Sequence, residues 1–298
     1  MKTKKVITME VYDRKVTAIL SPICSLFILV PILLMFYGDI GNVSSTMIPW
    51  KMFIVALLKI FVCAFNAVYI FRLFYLQEKH YVTDAKHLFA WQFLIMTISK
   101  IYELYIADLS EGNLSVLENE IRYLPILKVR WILMVLTVAP TFFFFIKIYS
   151  KVWSGKYVDR KGINVSPEEL ENIGKKIELG VDIGFLVIFS LLTLISPNYT
   201  ILKALGPLIM LPLMIIGIIT FSSLRKTKRL PQLNSLLIMI GYYILLTSNI
   251  LRAFVPSSDV VIIFEGVETI GFLLMGLAFI IPPPYGRAKK KPRISVIN

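Results

Sequence analysis

The chain has 298 residues, 57% of them hydrophobic and 17% charged, with a formal net charge of +13. That balance is too apolar for an ordinary soluble domain, and two cysteines exclude a disulfide framework or a thiolate zinc site. The basic excess fits Lys and Arg gathered on the cytoplasmic loops of a polytopic membrane protein better than nucleic-acid binding, which is the disfavoured alternative.

The opening MKTKKVITMEVYDRK is basic and no small-residue cleavage site follows it, so it is expected to stay as a cytoplasmic segment, with the first apolar run as insertion signal. That run, residues 16–37, is the first expected span and holds Cys24, Pro22 and Pro31. The loop GDIGNVSSTMIP is nearly uncharged. The second span, 49–71, carries Lys59, Cys63 and Asn66 on one helical stripe. FRLFYLQEKHYVTDAK is basic and brings in His80 and His87, expected to be a solvated pair at the interface. The third span, 88–107, is the most polar. Gln92, Ser99, Lys100 and Glu103 share a face there, and Lys100 and Glu103 are spaced to pair on their own helix.

ADLSEGNLSVLENEIRYLP is acidic, and a fourth span at 126–146 follows, with Pro140 and an aromatic run expected to pack as core or meet lipid. The loop 147–178 is the largest soluble piece. Within it Ser166 is expected as an N-cap, Pro167 at the first helical position, Glu169 closing a capping box and Gly174 as the stop of a short helix. About thirty residues cannot bury a catalytic core, so this is expected to be a helical elbow at the inner surface. The fifth span, 179–195, is short and holds Gly180, Asp182 and Gly184. After the neutral SPNYT, span six at 201–224 contains Pro207 and Pro212. The basic LRKTKR leads to span seven, 230–251, where Tyr242, Asn249 and Arg252 form a stripe. Span eight, 260–281, carries Glu265 and Glu268 three residues apart, with Thr269 beside them, and the tail at 285–298 is strongly basic.

Basic loops at every second position put both ends of the chain in the cytoplasm and require an even number of spans. The expected fold is therefore all-α: about eight transmembrane helices in one bundle covering residues 1–298, multi-pass in the cell membrane. Asn-x-Ser/Thr sequons at Asn42, Asn113 and Asn198 fall on loops assigned outside, and a fourth, at Asn164, on one assigned inside.

A charge at mid-bilayer costs from about 2.5 to more than 10 kcal/mol, so several in one chain call for pairing or water. Counting about 1.5 Å per residue from the outer boundary, Lys100 and Glu268 lie about 12 Å deep, Glu103 and Glu265 about 8 Å, and Lys59 about 15 Å. Lys59, Lys100, Glu103, Asn249, Glu265 and Glu268 form the candidate solute or proton site, as lining of a polar cavity in the outer half of the bilayer. Interhelical salt bridges that fix packing are the competing explanation. Arg130, Lys203 and Arg252 are expected to snorkel to the headgroups.

HExxH, GxSxG and Walker A motifs are absent from the sequence, which gives no catalytic residue, metal ligand or cofactor to assign and weighs against an enzyme. The first reading is a transporter, channel or translocation-machinery subunit. The second is a membrane sensor or assembly module signalling through a partner chain. The third is an intramembrane enzyme acting on a lipid-linked substrate. Besides the bilayer itself, the expected partner is anionic lipid or a protein at the basic cytoplasmic loops and tail.

Overall fold

The computed structural model describes residues 50–77, 80–81, 84–109, 123–161, 166–228, 230, 233–254 and 258–283. The first expected span, the sequons at Asn42, Asn113 and Asn164, and the basic tail lie outside them. No strand occurs among the described residues. Their helices are α1 (Trp50–Tyr75), α2 (Ala85–Leu109), α3 (Leu124–Lys161), α4 (Pro167–Ile195), α5 (Tyr199–Thr227), α6 (Ser235–Phe254) and α7 (Ser258–Leu277). Five stretches are long and apolar enough to cross a membrane: Lys51–Tyr75, Leu124–Ser150, Glu168–Ile195, Ala204–Thr227 and Ser235–Arg252. The polar α2 is outside that set, and so is α7.

The chain divides into two compact units, Met1–Met210 and Leu211–Asn298. In the first, α1 packs on α2, α2 on α3 and α3 on α4. The helix pairs run antiparallel. Gln92 of α2 meets Thr141 of α3, and eleven residues further along α2, Glu103 meets Arg130, eleven residues back along α3. The first turns of α5 close against α3, where a Cβ on Gly206 would stand 2.7 Å from the Trp131 ring. In the second unit α6 and α7 pair, and Phe221 in the later part of α5 stacks on Tyr242 at 5.9 Å.

Burial on α1 runs opposite to that of a water-soluble helix. Lys59 is 1% exposed and Asn66 2%, whereas Phe61 is 72% exposed and Ile54, Leu58 and Phe65 also face outward. Those four apolar residues follow one another a turn apart over three turns and form a stripe. On α4 an outward apolar band runs from Leu179 through Ile183, Val187 and Leu191 to Ile195. In water such contiguous patches mark a binding or membrane surface, and next to lipid tails they carry no hydrophobic penalty.

The loop between spans four and five differs from expectation. Helix α3 does not end near residue 146 but continues to Lys161, and α4 starts at Pro167 and runs without interruption to Ile195. The capping box is present: Ser166 Oγ accepts the Glu169 N–H at 3.3 Å, and Glu169 Oε2 accepts the Ser166 N–H at 2.8 Å. Gly174 does not stop the helix. It lets α4 approach α3, since a Cβ there would lie 3.6 Å from Ser154 Oγ and 4.0 Å from the Ser150 carbonyl. Both serines are buried. The elbow is therefore an antiparallel extension of two apolar helices.

At the other end of that pair, Lys128 Nζ donates to the Leu194 carbonyl at 2.5 Å and satisfies one of the carbonyls that a helix leaves open in its last turn. Asn198 Oδ1 then accepts the Ile201 N–H at 3.1 Å, capping the start of α5. That helix is continuous through Pro207 and Pro212, and α3 through Pro140.

Candidate functional site

Among the described residues, two clusters of charged side chains form between packed helices, one in each unit. In the first, Lys100 and Glu103 sit three residues apart on α2, as their spacing requires, with Lys100 Nζ 2.5 Å from Glu103 Oε2. The other carboxylate oxygen, Oε1, accepts from the Arg130 guanidinium on α3, from Nη2 at 3.2 Å and Nε at 3.3 Å. Glu103 thus gives each oxygen to a different cation, one on its own helix and one across the α2–α3 contact. Lys100 is 12% exposed, and Glu103 and Arg130 are less than one-third exposed. Three turns away, Thr141 Oγ1 donates to Gln92 Oε1 at 2.6 Å, so the polar face of α2 meets α3 at two heights. Lys59 is buried on α1 beside Ile60, which shares a core cluster with Ile101 and Leu104 of α2.

In the second unit the hub is Arg252, near the end of α6. Its Nη2 lies 3.0 Å from Glu265 Oε1 and 3.0 Å from Glu268 Oε1, both on α7. Ser248, one turn before Arg252, has its hydroxyl within donor reach of the Phe264 carbonyl (3.3 Å) and of Glu268 Oε1 (3.4 Å). Glu268 is buried. Arg252 Nε is also shut from solvent and has no hydrogen-bond partner among the described residues. Close backbone approach makes the geometry possible. A Cβ on Gly241 would lie 3.0 Å from the Gly271 carbonyl and 2.5 Å from Met275 Cγ, and one on Gly271 would lie 3.3 Å from the Gly241 carbonyl. The Asn234 N–H donates to the Ala278 carbonyl at 3.0 Å and ties the start of α6 to the far end of α7.

Asn249 turns its amide back to its own helix, donating to the Leu245 carbonyl at 2.8 Å. Arg130 and Arg252, expected at the headgroups, instead supply the cations that hold Glu103, Glu265 and Glu268. Arg252 already shared a stripe with Asn249 in the sequence, but nothing local to Arg130 pointed at Glu103. Ser248 could have been found one turn before Arg252. The Lys203 side chain lies outside the described residues.

His80 Nε2 is 3.3 Å from the Tyr75 carbonyl, and His87 Nε2 accepts the Trp91 indole N–H at 2.9 Å. The ring of Phe74 touches both imidazoles, at centroid distances of 5.1 and 4.8 Å. Among the described residues no group of three or more His, Cys, Asp or Glu side chains is arranged to hold a metal ion. No protein-family model, curated protein or solved structure matches the chain.

Proposed function

We propose that the chain is a multi-spanning membrane protein of eight spans with both ends on the basic, cytoplasmic side, and that it moves a charged solute or protons as a transporter, channel or translocation subunit. The observation that carries this reading is the trio on α6 and α7, where two carboxylates share one guanidinium nitrogen at 3.0 Å each. A single salt bridge would suffice to lock two helices. A second carboxylate on the same cation adds negative charge inside apolar sequence, where each charge is expensive, and gives a proton or cationic solute a place to bind. Lys59, Lys100 and Glu103 are the corresponding candidates in the first unit, and Asn249 lies one turn from Leu245 on the trio's own helix.

The test is conductance and proton flux in proteoliposomes holding the full chain under an imposed potential. Wild type is expected to pass current or protons, and Glu268→Gln to abolish the flux while the protein still elutes as a folded species. Lys100→Met is expected to behave likewise.

A membrane sensor or assembly module is the second reading, favoured by Glu103, whose two oxygens are each held by a cation. On that reading wild type shows no flux, and both substitutions lower the yield of folded protein.

A further inference from the structure

The long helix α3 outruns its apolar segment. Leu124–Ser150 is the stretch suited to crossing lipid, yet the helix continues to Lys161. At the junction Tyr149 and Trp153 stack with ring centroids 6.0 Å apart and planes 23° from parallel. Trp153 is 40% exposed. The neighbouring face of the same turns is occupied, because Ser150 and Ser154 are buried where Gly174 of α4 packs.

Helical register adds charge to the aromatic face. At about 100° per residue, positions 149, 153, 156 and 160 fall within an arc of about 60°. The positions beyond Trp153 are Lys156 and Arg160. Lys156 stands about 4.5 Å further along the axis than Trp153 and Arg160 about 10.5 Å. The headgroup layer on each side of a bilayer is about 5–7 Å thick. The order of positions along this face is therefore apolar helix, aromatic pair, lysine at the depth of the headgroup layer and arginine about 3–5 Å beyond it. Amphipathic aromatic rings settle at that boundary, and basic residues beside them attract anionic headgroups.

We infer that this face of α3, Tyr149–Trp153–Lys156–Arg160, is a docking surface for anionic phospholipid on the basic side of the membrane. The inference rests on the membrane reading above. Charge complementarity selects the lipid: two cations and no acid occupy the arc, while Asp159, next to Arg160 in sequence, falls outside it. Ser150 and Ser154, which pack where Gly174 of α4 comes close, fall about 60–100° outside this arc.

The experiment is quenching of Trp153 emission by brominated lipid in vesicles containing the full chain, with the signal taken as the difference between wild type and Trp153→Phe. Brominated phosphatidylserine and brominated phosphatidylcholine are compared at equal mole fraction. The expected result is several-fold stronger quenching by the anionic lipid, falling towards parity in Lys156→Gln/Arg160→Gln. Equal quenching by the two lipids in wild type would overturn the inference and leave the face to an acidic protein partner, with α3 still in the membrane. Quenching by neither lipid would overturn the membrane placement of this segment, and the inference with it.

Discussion

Glu103 divides its two oxygens between Lys100 and Arg130, so each cation has a distinct effect when removed. Arg130→Met takes away one of the polar links between α2 and α3 and removes from Glu103 the cation it meets across that contact. A hydrogen bond to a charged group is worth about 1.5–3 kcal/mol, and a loss of that order is expected in denaturant unfolding of the detergent-solubilised protein. Adding Glu103→Gln to Arg130→Met should cost less than Glu103→Gln does alone, because the partner is already gone. Additive losses would show that the pair does not couple. The Lys100–Glu103 contact was legible in the sequence because three-residue spacing is a local property of a helix. The contact with Arg130 was not, since periodicity places a residue on a face without naming the helix opposite. The same limit applied to Arg252: its stripe was readable, but not its two carboxylate partners on α7.

At the scale of elements, apolar runs located α1 to α7, the polar α2 with the help of the charge alternation in the loops, and outside the 147–178 region their ends differ by at most five residues. The misplaced boundaries, the end of α3 and the start of α4, both lie where the sequence turns polar. Hydropathy reports where lipid stops and is silent on whether the helix does. Gly174 illustrates the ambiguity of glycine: the residue that ends many helices also permits two helices to touch, and here Ser154 stands close enough to show the second use. The contact of Gly241 with Gly271 is of the same kind and was not singled out in the sequence, because two isolated glycines in separate spans form no local motif. It brings the α6 and α7 backbones together about three turns along α6 from Arg252, so a larger side chain there should disturb the trio indirectly. Gly241→Val would place its Cβ 3.0 Å from a carbonyl that cannot rotate away, although Met275 can move. Overpacking of this sort costs about 1–3 kcal/mol. A lowered melting temperature in detergent is the expected outcome; an unchanged one would mean the helices can separate freely.

For the whole molecule, the claim that organises the rest is that lipid surrounds these helices and that the loops alternate between two sides. Outward Phe61 with inward Lys59 supports the first part, and the antiparallel packing of α1, α2, α3 and α4 supports the second. If α2 failed to cross, Lys100 and Glu103 would need no intramembrane explanation, and the basic and acidic loops on either side of it would share a compartment. Topology is therefore the point on which the solute-site reading and the lipid-face inference both depend. The most direct measurement is labelling of single cysteines by a membrane-impermeant maleimide, in a chain with Cys24 and Cys63 replaced. Pro197→Cys lies in the turn between α4 and α5, Glu169→Cys in the first turn of α4 and Lys228→Cys just past α5, all three at exposed positions. In intact cells Pro197→Cys should label, whereas Glu169→Cys and Lys228→Cys should label only after permeabilisation. Labelling of all three from the same side would contradict the account.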